Sequence, residues 1–306
     1  MRVSWQNWVI SAFLRWRLKP LSKRQPDVAK VRKALGRPGP LPKLPPAWSI
    51  QPVPEGPLKG EWIAPETGGG PGRTLLYLHG GGYFFCTPQT HRPITGTLAG
   101  LAEMRVLALD YRLAPEHRFP AAVEDAVAAY RQLLAEGTPP GSIVIGGDSA
   151  GGGLSLATLL SLRDAGDPLP AGAILFSPWT DLAGTGETLV SNDKSDALFH
   201  GDGLKKAAVY YLGDTPGTNP LASPLYADLA GLPPLFVQAS DVEVLLSDST
   251  RLVEKARAAG VTVEFEIWHG LPHVWQIFTP FLPEARAALA KTADFMRRVT
   301  SVQPLA

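Results

Sequence analysis

The stretch that most narrows what this chain can fold into runs from Ser142 to Arg163. Ile143, Val144 and Ile145 form a short β-branched run, glycine and small residues fill 146–153, and Leu and Ala then dominate. A buried strand therefore gives way to a helix within a few residues. The turn between them, Gly147-Asp148-Ser149-Ala150-Gly151, fits G-x-S-x-G. In that pattern the serine takes a strained backbone conformation and the flanking glycines let neighbouring backbone pack close. Ser149 would then head a helix, where free N–H groups and the helix dipole favour negative charge, as an acyl-transfer oxyanion requires. In a chain with 31 glycines the pentapeptide alone also fits an ordinary glycine-rich turn, so its meaning rests on what the other segments supply.

Those segments alternate strand with helix. Leu75 to Leu78, Val106 to Leu109, Ile143 to Ile145, Ala173 to Phe176, Leu235 to Val237 and Val261 to Ile267 read as strands, most of them continuously apolar, as in a sheet covered on both faces. Pro120 suits the first position of a helix whose face carries Val123, Val127, Tyr130, Leu133 and Leu134. A second helix ends at the C-capping Gly260, and a third carries Ala285, Ala288, Leu289, Thr292, Phe295, Met296 and Val299 at i, i+3, i+4 spacing. The expectation is an α/β fold with a mainly parallel sheet and helices on both faces. Residues 36–72, dense in Pro and Gly, suit extended connectors and edge strands. Between Pro178 and Pro234 a long interval with a helical stretch around Leu204 to Tyr211 breaks the rhythm. With residues 1–50 it could form a lid over the C-terminal edge of the sheet. The expected division is an N-terminal cap segment at 1–50, a core at 51–177 and 235–306, and a cap insertion at 178–234.

Composition excludes several classes. A formal net charge of +1 and no basic patch with interleaved aromatics give nucleic acid no foothold. Cys86 is the only cysteine, so there is no internal disulfide and no cysteine metal site. This suits a reducing, cytoplasmic setting. No apolar run reaches the length of a membrane span. At the N-terminus Trp5, Trp8, Val9, Ala12, Phe13 and Trp16 recur at helical spacing among Arg2, Arg15, Arg17 and Lys19. Such a stripe serves a helix packed on the protein's own surface or one lying in a membrane interface. The first is preferred, because an amphipathic stripe more often faces a core.

A serine hydroxyl needs a base, a carboxylate to orient the base, and donors for the oxyanion. His79-Gly80-Gly81-Gly82 follows the first strong strand, and its unshielded N–H groups suit an oxyanion hole of Gly81 and Gly82 with Ala150. In the order Ser, acid, His, the strand ending at Ser240 delivers Asp241, with Glu243 and Asp248 as rivals. Both His269 and His273 follow the next strand.

His79-Gly80-Gly81-Gly82, Asp110-Tyr111-Arg112-Leu113-Ala114-Pro115-Glu116 and Gly147-Asp148-Ser149-Ala150-Gly151-Gly152 together resemble the hormone-sensitive lipase family of bacterial carboxylesterases, over roughly residues 60 to 300. The resemblance implies an α/β-hydrolase fold with a helical cap, action on short- to medium-chain acyl esters, and no cofactor or metal. It also makes Ser149 the nucleophile and His273, within Pro272-His273-Val274-Trp275, the base. Asp241 is the expected acid, although the family's usual Asp-Pro-Leu is here Ser240-Asp241-Val242-Glu243. The Asp110 to Glu116 segment reads as structural, with Arg112 and Glu116 pairing to brace the oxyanion loop. The alternatives are a non-catalytic ligand-binding protein on the same fold and an amide-cleaving serine hydrolase. The expected partner is a small-molecule ester.

Overall fold

The computed structural model describes residues 3–23, 25, 27–67 and 72–300; Arg2 and residues 68–71 of the glycine-rich connector lie outside them. Helices α1 (Trp5–Arg17), α2 (Lys19–Ser22) and α3 (Val28–Leu35) precede the sheet. The strands are β1 (Trp48–Val53), β2 (Gly60–Pro65), β3 (Thr74–Leu78), β4 (Arg105–Leu109), β5 (Ile143–Asp148), β6 (Gly172–Phe176), β7 (Leu235–Ser240) and β8 (Val263–Trp268). Helices α4 (Arg92–Ala102), α5 (Ala121–Ala135) and α6 (Ala150–Ala165) alternate with them. Helices α7 (Thr188–Ser191) and α8 (Gly201–Leu212) lie between β6 and β7, and α9 (Leu246–Ala258) and α10 (Pro283–Val299) complete the chain.

Among the described residues the strands form one eight-stranded sheet in the order β1-β2-β4-β3-β5-β6-β7-β8. The β1–β2 and β2–β4 pairings are antiparallel and all others parallel, so the proline- and glycine-rich segment becomes an antiparallel edge on a parallel core. Alternate residues of a strand point to opposite faces. Leu76, Leu107, Ile145, Leu175 and Val237 accordingly join a cluster with Tyr130 and Leu133 of α5, Leu156 of α6 and Leu252 of α9. Leu75, Val106, Val144, Ile174 and Phe236 pack on the other face with Leu98 of α4 and Leu289, Phe295 and Met296 of α10. Pro120 is the N-cap of α5, one place earlier than its expected first helical position.

The N-terminal helices and the insertion are tied together. Arg15 donates to the Ser195 carbonyl (2.6 Å), the Ser22 hydroxyl accepts from the His200 N–H (2.9 Å), and the buried Lys19 ammonium donates to the carbonyls of Asp193 and of Asp196 (2.7 Å to the latter). Burial pulls the Lys19 ammonium below its usual range.

The aromatic stripe of α1 does not face a core. The helix rests on the protein through Asn7 and Leu14, which are buried, while Trp5, Trp8, Val9, Phe13 and Trp16 are exposed. Periodicity correctly marks a helix here, but the side it presents to the protein is the opposite one, because Asn7 Nδ2 finds the Gly270 carbonyl at 2.9 Å.

Candidate active site

Parallel pairing sets the site. Leu78 of β3 lies beside Gly147 of β5 in register, so the loop after β3 and the turn after β5 emerge side by side at the C-terminal edge. The close approach explains the glycines: a Cβ on Gly147 would stand 2.2 Å from the Leu78 carbonyl oxygen, and one on Gly151 1.9 Å from it. Ser149 sits between β5 and α6 at φ 51°, ψ −119°, a conformation costing about 1–3 kcal/mol in an L-residue. Its N–H is held by the Phe176 carbonyl (2.8 Å), and its carbonyl accepts from Trp179 (2.8 Å) and Gly152 (3.0 Å). Non-glycine residues with positive φ gather around this edge: Tyr83, Cys86, Ser149, Ser177 and Val274, with only Ala47 and Glu103 elsewhere among the described residues. Such strain clusters where surrounding structure fixes a working geometry.

The glycine loop after β3 is braced from beneath. Asp148, buried, accepts from the Tyr77 hydroxyl (2.7 Å) and the Gly80 N–H (3.1 Å), and His91 Nε2 lies 3.2 Å away. Burial pushes the Asp148 carboxyl up, but His91 and the Tyr77 hydroxyl outweigh it and hold it below its usual value. Gly81 has φ 107°, and a Cβ there would stand 2.2 Å from the Phe85 carbonyl oxygen, so only glycine fits the bend. Among the described residues no acceptor takes the N–H of Gly81, Gly82 or Ala150. His79 is structural: its Nδ1 lies 2.7 Å from the Gly80 carbonyl, Tyr111 stacks on its ring, and burial lowers its pKa to about 4.

The expected Arg112–Glu116 pair does not form. Arg112 instead binds Glu124 and Asp125 in the first turns of α5, and Glu116 takes both amino groups of Arg32 from α3 (2.7 and 2.8 Å). Arg32 also donates to the carbonyls of Phe84 and Ala114 (2.8 Å each), so the brace on the glycine loop comes from the N-terminal segment. The Tyr111 hydroxyl adds a bond to the His79 carbonyl (2.6 Å).

His273 Nδ1 lies 2.6 Å from Glu243 Oε2, and both side chains are buried. Glu243 Oε1 accepts the Ser240 N–H (2.8 Å). The expected pairing of Asp241 with His273 is therefore corrected: Asp241 contacts His269 and the Gly270 N–H (2.8 Å), and the His269 side chain is 76% exposed. Asp248, the other rival, accepts the N–H groups of Thr180 and Asp181 (2.9 Å each), and burial raises its pKa to about 7. For His273 burial lowers the imidazole pKa, yet the hydrogen bond and charge of Glu243, helped by Asp196 and Asp148, raise it above 6.5. The Nε2 of His273 has no hydrogen-bond partner among the described residues.

Asp196 is a residue that sequence reasoning missed. Buried in the insertion, it accepts from the Val244 N–H (2.8 Å) on the Glu243 loop and from the N–H groups of Leu198 (2.6 Å) and Phe199 (2.9 Å). The Phe199 ring stands edge-on to His273 at 5.2 Å. Asn192 donates to the carbonyls of Asp241 and Glu243 (3.0 Å each), so the insertion holds the Asp241–Glu243 loop at several points. No local pattern around Asp196 announces this, since its partners are distant backbone groups. Among the described residues no cluster of His, Cys, Asp and Glu could hold a metal ion.

A family model described as alpha/beta hydrolase fold matches residues 75–277. The crystal structure of an esterase from the bacterial hormone-sensitive lipase family superposes with a TM-score of 0.87 at 41% identity, covering 98% of this chain and 100% of that one. This chain belongs to that α/β-hydrolase family. An acetyl-hydrolase of Streptomyces hygroscopicus is 48% identical over 78% of this chain and 80% of its own length. An esterase of Acinetobacter venetianus is 40% identical over 82% of each. The protein is a carboxylic ester hydrolase. In the esterase the expected Ser149 and His273 both lie at the C-terminal edge of the sheet, whereas Asp241 belongs to the surface pair with His269.

Proposed function

We propose that the esterase cleaves short- to medium-chain acyl esters through an acyl-enzyme on Ser149, with His273 as base and Glu243, in place of Asp241, as the orienting acid. The bond from His273 Nδ1 to Glu243 carries this reading. A carboxylate at Nδ1 fixes the proton there and leaves the Nε2 lone pair to take the hydroxyl proton of Ser149. As Ser149 Oγ adds to the ester carbonyl, the N–H groups of Gly81, Gly82 and Ala150 receive the developing oxyanion. His273 then returns the proton to the leaving alcohol, and water repeats the sequence to release the acid. The likeness to a protein named as an acetyl-hydrolase supports the short end of the acyl range.

Ser149→Ala should abolish turnover of p-nitrophenyl acetate while circular dichroism stays unchanged, and a fluorophosphonate should label the unaltered enzyme but not this variant. Undiminished turnover in Ser149→Ala would end the proposal. A series of p-nitrophenyl esters from acetate to decanoate fixes the acyl range.

A further inference from the structure

Helix α1 carries Trp5, Trp8 and Trp16 at 73%, 73% and 76% exposure, with Val9 and Phe13 also exposed, along one face. The face opposite is the docked one, through Asn7 and Leu14. Rings this large are rarely left in water on a soluble surface, and a contiguous apolar ridge marks a binding face. Its chemistry is specific. The indole is an amphipathic ring that settles at the boundary between hydrocarbon and water. The charge is equally one-sided: Arg2, Arg15, Arg17, Lys19, Lys23 and Arg24 all precede the first acidic residue, Asp27, in a chain whose whole net charge is +1. Lys19 is spent inside the protein and Arg15 reaches the Ser195 carbonyl, but Arg17 has no hydrogen bond or ion pair among the described residues. Glu284, the carboxylate that meets the start of α1, is engaged by the Ser4 N–H and hydroxyl.

We propose that α1 docks the esterase on an anionic lipid surface, its tryptophan face lying in the headgroup boundary with Arg17 on the phosphates. The occupant is lipid because the exposed face sets indole rings, which settle at a hydrocarbon–water boundary, beside an exposed Arg17 that has no ion pair among the described residues, the complement of an anionic headgroup layer. The docked side of α1 holds the Gly270 carbonyl through Asn7, in the loop that carries His273. Lipid contact therefore places the catalytic edge of the sheet close to the surface from which poorly soluble esters would come.

The test is sedimentation of the full-length enzyme with vesicles of phosphatidylglycerol or of phosphatidylcholine, with tryptophan emission recorded in parallel. The enzyme should pellet with phosphatidylglycerol vesicles, with a blue-shifted emission, and at least several-fold less with phosphatidylcholine or in high salt. The triple variant Trp5→Ser, Trp8→Ser, Trp16→Ser should lose at least tenfold in partitioning while keeping its p-nitrophenyl acetate turnover. Arg17→Gln, an exposed single change, should weaken partitioning a few-fold with no change in fold. Failure of the unaltered enzyme to pellet with phosphatidylglycerol overturns the proposal, as does undiminished pelleting of the triple variant. A dimer in solution that the triple variant dissociates, without vesicle binding, assigns the face to a second copy and overturns it too.

Discussion

Asp241 and Glu243 stand two places apart on one loop, yet their surroundings differ sharply. Asp241 is partly exposed beside the solvent-facing His269, where water screens its field, whereas Glu243 and His273 are both buried. A desolvated, hydrogen-bonded carboxylate holds an imidazole in one tautomer far better than a screened one. Glu243→Gln is expected to lower kcat/KM for p-nitrophenyl acetate by about 10³ to 10⁴-fold. Asp241→Asn should cost less than about tenfold, and the opposite ranking would return the acid to Asp241. The pH profile supplies a second readout. Because the folded environment raises the His273 pKa, its protonated form persists above 6.5, and the free base appears only as pH rises through that higher value. The acid limb of kcat/KM should therefore have its midpoint above 6.5, and the residual activity of Glu243→Gln should show that midpoint moved to lower pH.

Between elements, the glycine loop after β3 depends on α3. Arg32 satisfies the carbonyls of Phe84 and Ala114 and pairs with Glu116, joining the Gly81 loop to the segment after β4. Arg32→Met removes these donors without touching the substrate. The expected result is a fall in kcat of about tenfold with KM little changed, because a donor that is slightly misplaced fails mainly in the transition state. Steady-state kinetics on p-nitrophenyl acetate checks it; a rise in KM alone would point to substrate binding instead. The failed Arg112–Glu116 pairing has the same origin. Four positions apart on an irregular segment, the two side chains do not share a face, and α5 presents Glu124 and Asp125 to Arg112 directly.

Across the whole molecule, the N-terminal helices and the segment between β6 and β7 are held together by polar contacts between positions far apart in sequence. Lys19 is the most committed of these, a buried ammonium bonded to carbonyls of the insertion. Lys19→Met leaves buried carbonyls without donors, at a cost of about 1–3 kcal/mol. Tm should fall by about 2–5 °C, and limited chymotrypsin digestion should cut between residues 178 and 234 several-fold faster. Unchanged Tm and digestion would show that Arg15 and Ser22 suffice to hold the two segments together. Because Asn192 and Asp196 of the same segment hold the Glu243 loop, loosening that segment should also lower kcat.

Local order is legible in the sequence wherever a short-range rule governs it. Most strands of the parallel core declare themselves by unbroken apolar runs, the turn at Ser149 by glycines that only a close-packed carbonyl explains, and α10 by its 3.6-residue repeat. Which carboxylate meets His273, which cation braces the glycine loop and which way α1 faces are not properties of spacing. The end of β7 delivers Asp241 and Glu243 alike, and only burial separates them. An apolar stripe repeats identically whether it turns toward a core or toward lipid, and one hydrogen bond from Asn7 to the Gly270 carbonyl, across 263 positions of chain, helps to turn it outward. Contacts of that range depend on how completed elements stack, and so they belong to the tertiary structure alone.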